Sequence, residues 1–360
     1  MTVAVDAIGN VIGRYEGSSP ELPVVLAGSH LDTVYDGGAF DGAVGVIGAI
    51  ECVQAWRDAG FRPARSVEVI ATVEEEGTQF GLLLGSRAIA GLLNEIDPEE
   101  VCNPAGQSLA ALLRDFGLEP AEIGRAIRDP RSICCFLELH IEQGSNLEDE
   151  GLSCGIVSEI VGIDRRKVTI EGNANHSGTT RMDQRKDALV AAARFIEDAY
   201  KKARGAAGRY VATVGSLSVY PNAVNIVPGK VEFSFEIRFI KRQDFEAAYS
   251  DALDCLRAVE GEYGVTTSVT PMSYAAPIRL DAGIRKLLAD AAGELGIAHR
   301  SLPSWAGHDA QIFAKLMPTA MLFVPSVRGI SHAPEELSRW EDIVAGVNVL
   351  ESVLRKLAQA

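Results

Sequence analysis

Three apolar runs in the first half of the chain each stop at a cluster of groups able to bind a cation. Val24-Val-Leu-Ala27 ends at Gly28-Ser-His30-Leu-Asp32. Ser66-Val-Glu-Val-Ile-Ala-Thr-Val73 ends at Glu74-Glu75-Glu76-Gly77. The run from Ser132 leads into Glu138-Leu-His140-Ile-Glu-Gln143. Runs of this length, bounded by turn residues, read as buried strands. Between them, Asp41 to Trp56 reads as a helix with a Gly-rich entry and apolar positions Val44, Ile47, Ile50 and Val53. Leu82 to Leu93 holds a shorter helix. Strands that alternate with helices, and carry polar residues at their C-terminal ends, imply an α/β fold. Its central sheet is mostly parallel and flanked by helices, with the site at that edge.

The pattern changes after Gly162. Arg165 to Glu171 alternates as a half-exposed strand, Asp187 to Arg204 is an amphipathic helix, and Tyr210 to Val219 and Lys230 to Arg238 are strands. Gln243 to Val259 is a second helix and Val265 to Thr270 another strand. This β-α-β-β-α-β order predicts an inserted α+β domain, an open-faced sheet with two helices on one side. From about Pro277 the α/β pattern resumes, with a helix over 282–295, a strand over 318–324 and a closing helix over 340–357. The expected division is a catalytic domain in two parts, 1–163 and 277–360, around an inserted domain, 164–276.

Composition narrows the function. A net charge of −15, with no basic block or stripe, excludes nucleic acid and anionic membrane as partners. The acidity itself reads first as an ordinary soluble surface. Six cysteines lack any CxxC pair, and no apolar run reaches membrane length. Buried thiols in a reducing compartment follow, so the expected location is the cytoplasm.

Each polar cluster has a structural and a chemical reading. His30 and Asp32, two apart at a strand end, point the same way. Asp32 would then accept the second ring N–H of His30, as the partner of a metal-bound imidazole does. Asp41, in Gly37-Gly38-Ala-Phe-Asp41-Gly42, is either a helix N-cap or a bridging carboxylate. Glu74, Glu75 and Glu76 repel one another unless cations neutralise them or they face different ways. One could ligate metal while its neighbour serves as general base. His140 sits at another strand end, and His332 lies in a turn in Ser331-His332-Ala-Pro334-Glu335. Together they read as a metal site. Imidazole and carboxylate donors without thiolate suit Zn²⁺, and equally Mn²⁺, Co²⁺ or Ni²⁺.

The ordered segments resemble a known family. Gly28-Ser-His-Leu-Asp-Thr-Val34, Gly37-Gly-Ala-Phe-Asp-Gly42, Glu75-Glu-Gly77 and Glu138-Leu-His-Ile-Glu-Gln-Gly144 lie in the first catalytic part. His176-Ser-Gly-Thr-Thr180, Pro221-Asn-Ala-Val-Asn225, Gly307-His-Asp-Ala310 and Gly329-Ile-Ser-His332 follow. Together they are similar to the M20-type metallo-amidases of the hydantoinase/carbamoylase branch. That branch holds N-carbamoyl-L-amino acid hydrolases, allantoate amidohydrolases and β-ureidopropionases. The resemblance implies two divalent metal ions: His30, Asp41 and His140 around one, and Asp41, Glu76 and His332 around the other. It implies Glu75 as general base and His176 as an oxyanion stabiliser that reaches the partner subunit's site. Gln143, Asn225 and Arg238 would contact a small carboxylated ureido substrate. His308, in Gly307-His308-Asp309, either caps the following helix or supports the site, with support the preferred reading. The inserted domain would act as lid and as the interface of a homodimer.

The implied reaction is hydrolysis of a ureido C–N bond, with an N-carbamoyl-L-amino acid as first substrate and allantoate or β-ureidopropionate as alternatives. A dipeptidase or aminoacylase of the wider fold is less consistent, because those relatives place a carboxylate where this chain has His140. A non-catalytic remnant is a further alternative, countered by the complete ligand set. The chain departs from the usual pattern at Gln79, Arg181 and Trp305, of which Trp305 is expected to narrow the pocket. Relatives also carry a few dozen residues before the segment matching Val3 to Asn10, which predicts a shortened product of reduced stability.

Overall fold

The computed structural model describes residues 1–360. Two compact units emerge: Met1–Ile160 with Arg279–Ala360, and Val161–Ile278. The first unit opens with β1 (Thr2–Val5), β2 (Val11–Tyr15), β3 (Val24–His30), α1 (Ala43–Asp58), β4 (Val67–Thr72), α2 (Leu84–Ile89) and α3 (Leu109–Asp115). It continues with β5 (Ile133–Ile141), α4 (Asn146–Glu150) and β6 (Cys154–Ile160). The second unit runs through β7 (Gly162–Glu171), β8 (Asn175–His176), α5 (Ala188–Gly205), β9 (Tyr210–Thr213), β10 (Leu217–Tyr220) and β11 (Ile226–Val227). It ends with β12 (Lys230–Phe239), α6 (Arg242–Tyr263) and β13 (Thr266–Ala275). After the junction strand β14 (Ile278–Arg279) come α7 (Ala282–Glu294), β15 (His299–Ser304), α8 (Asp309–Phe313), β16 (Thr319–Val324) and α9 (Trp340–Gln359).

The large sheet has the order β1-β2-β4-β3-β5-β16-β6-β14, with β15 also paired to β6. Its centre, β4-β3-β5-β16, is parallel throughout. Every residue of β3 and β4 is buried. That explains why both are mostly apolar, since a parallel strand is covered on both faces and has no outward side to make polar; the charged exception in β4, Glu68, is paired with Arg14 and Arg128, each at 2.9 Å. Trp56 and Val53 of α1 join Leu350 and Val353 of α9, and Leu137 and Leu139 of β5, in the main core. A second cluster gathers Ile8, Leu84, Leu109 and Leu113.

The strand order places the site. β3 lies between β4 and β5, the two long sheet strands that follow it in the chain. The chain leaves β3 towards one side and returns on the other. That reversal opens a crevice at the C-terminal ends of β3 and β5, where ligands of open α/β sheets bind.

The second unit shows the other strand pattern. Along β12, buried positions alternate with half-buried ones, because one face packs on helices and the other is open. Val231, Phe233, Phe235, Ile237 and Phe239 point to the core shared with Phe195 of α5 and Leu256 of α6.

Several elements differ from expectation. The strand expected over Tyr210 to Val219 is two strands, β9 and β10, both antiparallel to β12. Between them Ser216 donates its backbone N–H to Ser234 Oγ at 3.0 Å, so this edge breaks from regular pairing. Ile47 of α1 is 53% exposed, not a core position. The N-terminal hairpin β1–β2 was not anticipated. Its turn is held by Asp6 Oδ1, which accepts the N–H groups of Ile8, Gly9 and Asn10 at 3.1, 3.0 and 2.9 Å. No helix is long and apolar enough to cross a membrane.

Candidate metal centre

Five chain segments converge at the C-terminal edge of the parallel strands. His30 is the last residue of β3 and His140 the penultimate residue of β5. Glu75 and Glu76 follow β4, and His332 follows β16 in a loop. Asp41 stands just ahead of α1. The helix N-cap is Gly42, and no side chain caps this terminus, so Asp41 is free of the capping role and turns into the crevice. Gly42 adopts φ +64°, and a Cβ there would lie 2.5 to 2.6 Å from ring atoms of His30. A glycine at this place lets the backbone pass close under the imidazole.

Asp41, 5% exposed, is the centre of the cluster. Its Oδ1 lies 3.0 Å from His140 Nε2 and 3.5 Å from His30 Nε2. The two Nε2 atoms are 3.4 Å apart. Its Oδ2 lies 3.1 Å from His332 Nε2, which is 3.2 Å from Glu76 Oε1. Two groups of potential ligands therefore share one carboxylate: His30, Asp41 and His140, and Asp41, Glu76 and His332.

The tautomers follow from the other ring nitrogens. His30 Nδ1 lies 2.9 Å from the Asp32 carbonyl oxygen, and His140 Nδ1 2.9 Å from that of Ile141. A carbonyl only accepts, so each neutral imidazole carries its proton on Nδ1 and turns an Nε2 lone pair inward. There it meets Asp41 Oδ1, which has no hydrogen-bond partner; Glu76 Oε1 is likewise buried without one. Lone pairs converging on buried acceptors with no proton between them fit a cation. The separations fit too, since donors about 2.1 Å from a tetrahedral ion lie roughly 3.4 Å apart.

Without a cation, protons must balance the charge, and the side-chain pKa values shift accordingly. Burial alone would raise the Asp41 carboxyl, but the imidazoles of His140, His30 and His332 hold it far below the ordinary range. Burial opposes protonation of His30, yet the carboxylates of Glu75, Asp41 and Asp309 raise it well above normal. The Asp41 and Glu76 carboxylates beside its ring push His332 up to about 10. Glu75 is raised well above the usual carboxylate value, first by burial and then by Asp309, Glu76 and Glu138, against the pull of His30.

The three glutamates are separated by the backbone. Glu74 takes φ +57°, and its carboxylate turns back to accept the N–H groups of Gln79 and, at 2.8 Å, Phe80. Glu76 faces His332, while Glu75 Oε2 stays 4.0 Å from His30 Nε2. Asp32 corrects the expectation made for it. Its carboxylate is 3.9 Å from His30 Nδ1, and the backbone carbonyl takes that N–H instead. The carboxylate accepts the N–H groups of Glu75 and Glu76, each at 3.1 Å, and so orients the two glutamates.

Gln143, at φ +62°, donates Nε2–H to Asp41 Oδ2 at 2.9 Å. His308 is buried, with its ring edge-on to His140 at 4.5 Å between centroids and its Nε2 2.8 Å from Ser304 Oγ. It occupies the N-cap position of α8 without a side-chain capping bond. His176, Asn225 and Arg238 belong to the other unit. His176 is exposed, and its Nδ1 accepts the N–H groups of Gly178 and Thr179 at 3.0 and 3.2 Å. Its strand pairs with the one that follows Asn225, whose carbonyl accepts the Ser177 N–H at 3.0 Å. Arg238 pairs with Glu236 at 2.6 Å on β12.

Sequence reasoning missed Glu138, Asp309 and Glu336. Glu138 accepts Ser29 Oγ–H at 2.7 Å and the Ala310 N–H at 3.0 Å beneath the histidines. Asp309, fully buried, accepts Thr72 Oγ1–H. Their placement at or beside the strand-end motifs was the available signal. Glu336 follows an exposed glutamate in a loop, and no local pattern sets it apart.

The chain as a whole has known counterparts. The chain is 40% identical to the N-carbamoyl-L-amino acid amidohydrolase of Geobacillus stearothermophilus, over 98% of this chain and 86% of that protein. It is 36% identical to the allantoate amidohydrolase of Escherichia coli, over 98% and 86%. The crystal structure of an amidase of the hydantoinase/carbamoylase family from Burkholderia multivorans superposes with a TM-score of 0.87 at 32% identity, covering 100% of this chain and 87% of that one. Residues 26–356 match the peptidase family M20/M25/M40. The chain belongs to that family, whose hydrolases are metal-dependent.

Proposed function

We propose that this protein hydrolyses the ureido C–N bond of an N-carbamoyl-L-amino acid with two divalent cations. The observation that carries the reading is Asp41: both of its oxygens face imidazole Nε2 atoms, and Oδ1 is buried without a hydrogen-bond partner. His30, Asp41 and His140 would hold one ion, and Asp41, Glu76 and His332 the other. Zn²⁺, Mn²⁺, Co²⁺ and Ni²⁺ all suit these donors. Bound there, such ions supply Lewis acidity to the ureido carbonyl and lower the pKa of water.

The chain's own residues do the rest. Glu75, buried beside His30, takes a proton from the attacking water and delivers it to the leaving nitrogen as the C–N bond breaks. The products are the free amino acid and a carbamate that decomposes to CO₂ and ammonia. His176 suits oxyanion stabilisation because two backbone N–H groups occupy its Nδ1, leaving the proton on Nε2. The reading assigns the substrate carboxylate to Asn225 and to the planar guanidinium of Arg238, and a pocket contact to Gln143. A homodimer, and a cytoplasmic location supported by six free cysteines, complete it.

Allantoate is the second reading, favoured by the relative that hydrolyses it at nearly the same identity as the carbamoyl enzyme. The test is ammonia release by protein loaded with Mn²⁺, Co²⁺ or Zn²⁺, assayed in parallel on N-carbamoyl-L-amino acids, allantoate and β-ureidopropionate. Chelator-sensitive release from the first supports the proposal. Release from allantoate alone replaces it with the second reading. No release from folded, loaded protein overturns both.

A further inference from the structure

Glu336 is 5% exposed and contacts both loops that carry the outer ligand set. Its Oε1 accepts the backbone N–H groups of Phe40 and Asp41, each at 3.0 Å. Its Oε2 accepts Ser331 Oγ–H at 2.7 Å. Ser331 precedes His332 and stands 3.4 Å from Asp41 Oδ2. One buried carboxylate thus grips the main chain at Asp41 and the side chain next to His332. The room for it is made by Gly38, where any Cβ would collide with the Glu336 side chain.

The two loops need such a grip. His332 is held at φ +57°, a backbone region that strains a non-glycine residue. Asp41 has no capping bond of its own to α1. Its peptide N–H and that of Phe40 are satisfied by a residue 295 and 296 positions away, respectively, rather than by a local turn. A carboxylate is also the acceptor that binds N–H groups most strongly.

We propose that Glu336 is the positioning residue that sets the distance between Asp41 and His332 and so tunes the affinity of the cation pair; the inference rests on the two-ion reading above. Glu336 touches neither substrate nor ion and acts through the two ligands. Because Asp41 is shared, loosening it weakens both ions. Loosening Ser331 alone weakens the ion on the His332 side.

The experiment is titration of the full-length, chelator-stripped protein with Mn²⁺ and with Zn²⁺ by calorimetry, with metal content by mass spectrometry and folding by circular dichroism. Glu336→Ala should bind both ions about ten- to a hundredfold more weakly, as expected when a ligand's supporting partner is lost. Ser331→Ala should weaken one ion only. Glu336→Gln keeps an oxygen for the two N–H groups and should lie between Glu336→Ala and wild type. Folded Glu336→Ala with wild-type affinity for both ions overturns the inference, even if its melting temperature falls. If Glu336→Ala does not fold, wild-type affinity in both Glu336→Gln and Ser331→Ala overturns it. Wild-type protein that loads two ions but cleaves no ureido substrate removes the proposed reaction and leaves this role for Glu336 to be judged by the same titrations. Wild-type protein that binds no divalent ion removes both.

Discussion

Replacing Gly42 by alanine separates two costs that the structure lets one count. The first is backbone. At φ +64° an alanine pays the left-handed penalty of about 1–2 kcal/mol. The second is contact. The new methyl would sit 2.5 Å from His30 Cε1, whereas carbon atoms rest at about 3.5 Å. The ring must retreat by roughly 1 Å, or the loop holding Asp41 must move as far. Overpacking of that kind costs about 1–3 kcal/mol, and a 1 Å misplacement of a catalytic group costs about a hundredfold in rate. Gly60 supplies the control, because it takes φ +66° with nothing within 4 Å of its would-be Cβ. Gly60→Ala should show the backbone penalty in urea unfolding and keep wild-type metal affinity. Gly42→Ala should show a larger loss of stability and weaker metal binding. Equal unfolding midpoints for the two variants, with unchanged metal titration, would show that the contact with the His30 ring carries no cost.

Further outcomes follow from the same geometry. Glu75→Gln should keep its metal content while turnover falls about a hundred- to ten-thousandfold; full turnover would remove Glu75 as base. Asp32→Ala strips the acceptor from two backbone N–H groups and should cost about 1–3 kcal/mol for each one left buried and unmet. A denaturation curve matching wild type would show that water replaces the carboxylate. In chelator-treated protein the raised His332, at about 10, stabilises the fold fully below the ordinary imidazole value of 6.5 and progressively less as pH rises through 10. Its melting temperature should therefore fall over that window, and His332→Asn should lack this part of the fall. An identical pH profile in the variant would contradict the ion pairs drawn for His332.

The strands bearing the ligands were legible because burial on both faces leaves a local mark: β3 and β4 are mostly apolar and have no continuous polar face. His30, His140 and a glutamate of the 74–76 run could be read from where such runs stop, whereas Asp41 and His332 lie in turns away from them. The neighbours of the site were less visible. β15 carries exposed residues and a proline, so its pairing with β6 has no periodic signature. Whether Asp41 capped α1 was undecidable locally, since both roles use the same residue at the same turn; only the backbone of Gly42 and the distant histidines distinguish them. Asp32 misled for a related reason. Side-chain alternation placed it near His30, but the chain leaves the strand there, and the main-chain oxygen arrives first. Glu336 acts across 295 positions, a distance that no local pattern spans.

The carbonyl groups that hold His30 and His140 have a consequence for how such a site can drift. A carboxylate that orients a ligand can be lost to a single base change. A peptide oxygen cannot, because every residue brings one. The inward lone pairs of both imidazoles therefore survive any substitution at Asp32 or Ile141 that preserves the path of the chain. Around this inheritance the pocket is free to change what it accepts, and variation can explore new substrates without first endangering the capacity to hold a cation.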